Sequence, residues 1–393
     1  MTTLAVVLLL LSAAVPAYAY AGYPLLLCLA RRRWAAPPVA RDGDWPTITI
    51  VLPVHNEERV IAATLEALLA TDYPADRRRI LVISDASSDR TEEIVGSFAD
   101  RGVVLARLPG RAGKTAAENA AAGLVKTDIV VNTDASVTLH PGALQPLVAA
   151  LSDPTVGIAS GRDVSVGSNR SAANVGESGY VGYEMWVRDL ETRAGGIVGA
   201  SGCLFASRRE LQGEIVPEAL SRDFAAPLIA REHGYRAVSV RDAVCFVPRV
   251  GSLTREYRRK VRTMTRGLQT LFYKRHLLNP RRYGRFAWML LSHKLARWLV
   301  PVALPLALPA GVVLADRYPV LALPMAMVAG ALVGLAAVSW LWPGGRPPGW
   351  SAVPGYLIWG LVAGLHAWLR AARGDLTPTW EPTRRHLPRE AGG

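Results

Sequence analysis

Between Thr47 and about Phe246, short β-branched runs alternate with amphipathic stretches, and this alternation restricts the fold more than any other feature of the chain. Thr47 to Pro53, Ile80 to Ile83 and Asp128 to Asn132 read as strands, and Glu57 to Ala70, Thr91 to Ala99 and Thr115 to Leu124 as the helices between them. Such an order predicts an α/β domain with a mostly parallel sheet covered on both faces.

Two of these strands run into acidic loops, Ser84-Asp85-Ala86-Ser87-Ser88-Asp89 and Asn132-Thr133-Asp134-Ala135-Ser136, about fifty residues apart. The carboxyl ends of strands in an open α/β sheet open onto one crevice, so acids placed there converge on one ligand. One site of the nucleotide and metal kind is therefore expected.

Charge and hydropathy divide the rest. Met1 to Ala30 carries no charge, which exceeds the roughly 20 apolar residues needed to span a bilayer. Hydrophobicity continues up to Arg31-Arg32-Arg33 and no basic residue precedes it, so a retained helix is favoured over a cleaved signal peptide, although Ala17-Tyr18-Ala19 resembles a cleavage site. Three further apolar runs, about Trp298 to Ala315, Pro319 to Trp342 and Ala352 to Leu369, approach spanning length. The net charge of +13 concentrates beside these runs, at Arg31 to Arg33, Arg255 to Arg285 and Arg370 to Arg389, as expected of juxtamembrane segments facing the cytoplasm. With no nucleic-acid motif or aromatic-interleaved basic run, nucleic acid is not an expected partner. Three scattered cysteines with no pair spacing indicate neither a disulfide framework nor a zinc site. The expected organisation is an N-terminal transmembrane helix over 1–30, a cytoplasmic domain over 46–250, basic interfacial helices over 251–297, transmembrane segments over 298–370 and a basic tail over 371–393. One inconsistency stands in this topology. Four spans put the C-terminus outside, while Arg370, Arg373, Arg384, Arg385 and Arg389 favour inside.

Within Pro46 to Pro280, an ordered series of motifs resembles a membrane-embedded family-2 glycosyltransferase, the group that includes cellulose and hyaluronan synthases. The series comprises Leu52-Pro53-Val54-His55-Asn56-Glu57-Glu58, Asp85, Gly110-Arg111-Ala112-Gly113-Lys114 with Asn119, Asp134, Ala200 to Ala206, Ser221-Arg222-Asp223-Phe224 and Gly234-Tyr235-Arg236. The resemblance implies a GT-A-type nucleotide-sugar-binding domain flanked by N- and C-terminal transmembrane helices. It places Pro53, His55 and Glu57 beside the nucleotide base, although Asn56 as a helix N-cap explains the same stretch. Asp85 would accept a pyrimidine N–H. Ser84 replaces the first of two acids usual in relatives, and Asp89 and Thr91 read as turn and cap residues. The glycines before Lys114 would admit a diphosphate whose charge the lysine offsets.

Asp134 matches the first acid of an Asp-x-Asp element that holds a divalent metal, Mg2+ or Mn2+, on the diphosphate; Ser136 stands where the second acid is common. Ser201, Gly202 and Cys203 resemble the small-residue segment lining the acceptor. Asp223 matches the catalytic base of an inverting transfer, preceded by Arg222 where relatives often carry an acid. Arg255 to Gly267 lies where relatives have a Gln-x-x-Arg-Trp element, lacks its tryptophan, and offers Arg262 and Arg266 to the diphosphate or to anionic lipid headgroups alike.

The expectation is an inner-membrane enzyme with its catalytic domain in the cytoplasm. It would use a nucleotide-diphosphate sugar, a UDP-sugar foremost, and a glycan or lipid-linked acceptor amid membrane lipids. Transfer to a polyprenyl phosphate and a non-catalytic nucleotide-sugar-binding role are the alternatives.

Overall fold

The computed structural model describes residues 2–30, 45–166, 172–248, 253–315, 318–342 and 348–375. Arg31 to Arg33 and the tail arginines Arg384, Arg385 and Arg389 lie outside the described residues. The chain forms an α/β unit and a helical unit; the latter takes in Met1–Ala30, Asn169–Tyr180 and Val250–Asp375.

The α/β unit is built on eight strands: β1 (Ile48–Val54), β2 (Arg78–Ser84), β3 (Val103–Arg107), β4 (Ile129–Thr133), β5 (Thr138–Leu139), β6 (Val156–Val166), β7 (Leu204–Arg208) and β8 (Arg236–Pro248). They pair in the order β3-β2-β1-β4-β7-β6-β8-β5. The three strands expected from sequence are present within one or two residues. Their alternation separates two core layers: Ile48, Ile50, Leu52, Ile80 and Val82 face one, and Val51, Leu81, Ile83 and Val130 the other. Continuous burial along β1 is what a strand covered on both faces requires.

The sheet is mixed, which corrects the expectation of a mostly parallel one. β1, β2, β3 and β4 pair in parallel, as do β6 and β8, but β7 runs antiparallel to both β4 and β6, and β5 antiparallel to β8. Side-chain alternation is the same in parallel and antiparallel strands, so the pattern of residues does not encode this reversal. Its consequence is functional. Antiparallel pairing sets Thr133 opposite Leu204, so the loop entering β7 lies at the same edge as the loop leaving β4.

Pro53 occupies a central strand, where a missing N–H is normally costly. The β1–β4 ladder ends at Val51–Asn132, so Pro53 falls where β1 has already lost that neighbour and the crevice begins.

In the helical unit, Thr2–Ala30 and Pro280–Ala315 are long and apolar enough to cross a membrane. Gly284 (φ 52, ψ −124) bends the first turns of the second, which then runs on through Arg297 into the apolar run. Helices Leu253–Tyr273, Pro319–Leu341 and Gly349–Ala372 complete the unit. Glycines let these helices approach closely: a Cβ on Gly364 would run into Pro301, one on Gly355 into the Ser339 side chain, and one on Gly267 would meet Trp298 at 2.8 Å.

Candidate active site

The loops after β1 and β2 are laced together. Asn56 adopts φ 54 and its Oδ1 accepts the Ser88 N–H at 2.8 Å; it caps no helix, because the helix starts only at Ile61. The Glu57 N–H donates to Thr91 Oγ1 and the Glu58 N–H to Asp89 Oδ2, while Asp89 Oδ1 accepts the Thr91 N–H at 3.0 Å in the expected turn. Ala86, at φ 52, holds a left-handed conformation that an L-residue adopts at a cost. The geometry also accounts for Ser84. Its buried hydroxyl donates to Glu92 Oε1 at 2.6 Å, and Glu92 pairs with Arg107 at 2.5 Å, so an acid at position 84 would confront a carboxylate already in place.

His55, 7% exposed, lies with Nδ1 2.7 Å from the Asp85 carbonyl. The Asp85 carboxylate, almost fully buried, accepts the N–H groups of Ala112 at 2.6 Å and Gly113 at 2.9 Å. It thereby fixes the glycine loop to the end of β2. Gly113 (φ 99) then opens the helix Lys114–Ala122 in a conformation suited to glycine alone.

From that helix start Lys114 reaches across the crevice. Its Nζ lies 2.5 Å from Asp134 Oδ1, 3.0 Å from the Gly202 carbonyl and 3.9 Å from Glu118 Oε1. Burial acts to lower the Lys114 pKa, but the carboxylates of Asp134, Glu118 and Asp223 outweigh it and hold the ammonium well above its ordinary value. The Thr133 hydroxyl donates to the Cys203 carbonyl at 2.9 Å, joining the end of β4 to the segment that leads into β7. In that segment Ser201 Oγ donates to Asp163 Oδ1 at 2.5 Å and accepts the Cys203 N–H at 3.0 Å.

Asp223 stands in the first turn of the helix Arg222–Glu232, with Oδ1 accepting the Ser221 hydroxyl. A Cβ on Gly202 would come within 2.7 Å of Asp223 Oδ2, so the carboxylate occupies space that only glycine leaves open. His55, Asp85, Lys114, Asp134, Ser201, Gly202, Cys203 and Asp223 are thus joined through neighbouring contacts, with Pro53 and Glu57 at the β1 end. Arg262 and Arg266 belong to the helix Leu253–Tyr273 of the helical unit.

One participant, Glu118, escapes a motif-by-motif reading, and Arg222 takes a part its motif does not announce. Glu118, 1% exposed, is pushed up from its ordinary 4.5 by burial, against the pull of Lys114 and Arg222. The i, i+4 spacing from Lys114 is the signal that would have found it. Arg222 turns inward, away from an ion pair with Asp223, and donates to Asn119 Oδ1 and to the carbonyls of Gln212 and Glu214.

An open mixed sheet whose first strands end on a crevice lined by a lysine and carboxylates is a GT-A-like arrangement, the fold of nucleotide-sugar-dependent glycosyltransferases. Residues 49–215 match the family Glycosyl transferase family 2, so this stretch is a family-2 glycosyltransferase domain. A probable glycosyltransferase of Bacillus subtilis, YdaM, is 35% identical over 113 residues, covering 28% of this chain and 27% of its own. A beta-monoglucosyldiacylglycerol synthase of Trichormus variabilis is 27% identical over 160 residues, covering 40% of this chain and 34% of its own. The chain therefore spans about a third or less of the length of these two relatives. The mannosyltransferase PcManGT from Pyrobaculum calidifontis, solved in complex with GDP-Man and Mn2+, is similar over 91% of this chain and 99% of its own, with TM-score 0.67 and 26% identity.

Proposed function

We propose that this glycosyltransferase is a membrane-bound inverting enzyme. It moves a sugar from a nucleotide-diphosphate sugar, a UDP-sugar foremost, to a hydroxyl of a polysaccharide or lipid-linked acceptor. The observation that carries this reading is the contact chain Asp134–Lys114–Gly202–Asp223. It sets a cation and a half-buried carboxylate on one side of a glycine and a second carboxylate on the other.

The two sides divide the chemistry. Lys114 supplies fixed positive charge to a departing nucleoside diphosphate in a site of restricted water, where such charge counts for more than in bulk solvent. Pro53, His55, Glu57 and Asp85 border the base. Asp223 takes the proton of the acceptor hydroxyl as that oxygen attacks the sugar carbon from the face opposite the diphosphate. Ser201, Gly202 and Cys203 are assigned to the acceptor side. Arg262 and Arg266 are assigned to anionic groups, either the diphosphate or lipid phosphates.

A divalent cation fits this donor set. No group of three or more His, Cys, Asp or Glu side chains forms a protein cage among the described residues. A hard cation bound through one carboxylate, here Asp134, and through phosphate oxygens of the substrate needs none. When bound, Mg2+ or Mn2+ offsets charge on the leaving diphosphate. PcManGT, solved with Mn2+, supports this assignment.

Membrane attachment is supported by the two long apolar helices and by the outward side chains of Pro319–Leu341, where Val320 is 82% and Leu341 75% exposed. Apolar surface of that extent is stable only against lipid or another apolar partner.

The test is turnover of the purified chain with a panel of UDP- and GDP-sugars and Mg2+ or Mn2+, read as nucleotide release. Failure of every donor to bind or react overturns the proposal.

A further inference from the structure

Resting on the transfer reading above, we infer that Arg222 is a positioning residue: it fixes the place of the Asp223 carboxylate by tying the helix that carries the base to the helix that carries Lys114. Arg222 is 3% exposed, and both terminal nitrogens of its guanidinium are bonded within the α/β unit. Nη1 lies 2.5 Å from Asn119 Oδ1 and 3.2 Å from the Glu214 carbonyl, and Nη2 lies 2.6 Å from the Gln212 carbonyl. Asn119 lies on the Lys114–Ala122 helix and is itself locked, donating from Nδ2 to the Val216 carbonyl at 2.7 Å and accepting the Val216 N–H at 3.2 Å. Two further bonds join the same pieces: Thr115 Oγ1 to the Leu220 carbonyl at 2.8 Å and Gln212 Nε2 to the Glu118 carbonyl at 3.2 Å. The segment from Gln212 to Ser221 is thus bracketed at both ends.

One residue beyond Arg222, at the next position of the same helix turn, Asp223 faces the opposite way, toward Gly202. The rigid fork of a guanidinium holds three acceptors in fixed directions, which a lysine ammonium does not reproduce. Arg222 makes no hydrogen bond to Asp223 in this network, so its influence on that carboxylate passes through the backbone of the helix start. Because a misplacement of about 1 Å at reacting atoms costs on the order of 10²-fold in rate, loosening this brace affects the base step before it affects donor binding.

The experiment is a double-variant cycle on the full chain. Arg222→Lys and Asn119→Ala are each measured for kcat, donor KM and melting midpoint, alone and in an Asp223→Asn background. The expected result is a fall in kcat of about 10- to 100-fold with donor KM within about 2-fold of the parent. That loss should vanish when Asp223 is already Asn, since a brace for the base has nothing left to position. Parent-like kcat in both variants overturns the inference, as does a loss that persists undiminished on top of Asp223→Asn, or a rise in donor KM that accounts for the whole effect. If Arg222→Lys fails to give a cooperative melt, Asn119→Ala decides alone. Near-normal turnover of Asp223→Asn by itself refutes the assigned base instead, so the two failures are distinguishable.

Discussion

Lys114 Nζ and Asp134 Oδ1 stand 2.5 Å apart, joining the start of a helix to the end of β4 at the edge where the sheet opens. Both residues are assigned to the diphosphate, Lys114 directly and Asp134 through the cation, and their removal should differ in one respect. Lys114→Met should weaken nucleoside-diphosphate binding with or without metal; losing one charge-assisted contact of about 1.5–3 kcal/mol corresponds to roughly 10- to 150-fold. Asp134→Ala should abolish the part of the affinity that depends on Mg2+ or Mn2+. Calorimetric titration of UDP and GDP with and without metal checks both, and equal metal dependence in Asp134→Ala and parent would refute the metal role.

Asp223→Asn keeps the shape of the side chain and removes its capacity to take a proton. Donor affinity should remain near that of the parent, whereas kcat falls by about 10²- to 10⁴-fold, the usual contribution of one positioned base. Steady-state rates on the true acceptor, beside donor binding by calorimetry, separate the two quantities. Turnover close to the parent rate would remove Asp223 from the mechanism.

Strands β1, β2 and β4 were legible because burial on both faces leaves uninterrupted β-branched runs such as Ile48 to Val54, and the motifs sit at the ends of those runs; β3, only partly buried over Val104 to Ala106, was not. Strands β6 and β8 carry less uniform patterns, and β7, though buried over four of its five residues, reverses direction without any mark in its alternation. Among the site residues, the separate motifs around Asp85, Lys114, Asp134 and Asp223 pointed to one crevice; the structure sets Lys114 against Asp134 and Gly202, Asp223 against Gly202, and Asp85 under the loop that precedes Lys114. Their immediate contacts were not legible. Asp85 holds backbone N–H groups of the glycine loop, and Arg222 bypasses the aspartate beside it, because the contact to Ala112 spans 27 residues and that to Asn119 spans 103.

Glu118 gives the domain a pH dependence of known sign. Burial, the largest cause, raises its pKa above the ordinary 4.5, with repulsion from Asp134 and Asp223 adding to it and Lys114 and Arg222 opposing it. The native state therefore holds this proton more tightly than the unfolded chain. The corresponding stability is fully present below pH 4.5 and is lost as pH rises through the native value. Glu118→Gln, a mimic of the protonated form, should match the parent in acid and become increasingly the more stable of the two as pH rises. Melting midpoints of both proteins across a pH series provide the check. A difference that shrinks with rising pH would reverse the assigned sign.

Gly202→Ala tests the closeness of the acceptor segment to the base. The new Cβ would lie 2.7 Å from Asp223 Oδ2, inside the distance at which any side-chain carbon is tolerated. The atom it meets is the mobile tip of a carboxylate. The conflict is therefore relieved by rotation of Asp223 instead of backbone movement, and the stability cost should stay at or below the lower end of the roughly 1–3 kcal/mol typical of overpacking. The rotation carries the carboxylate off its position and breaks its contact with the Ser221 hydroxyl. Little change in melting midpoint, unchanged donor binding and a kcat lowered by about 10²-fold are expected together. A variant that retains parent kcat would show that Asp223 does not act from the place the structure gives it.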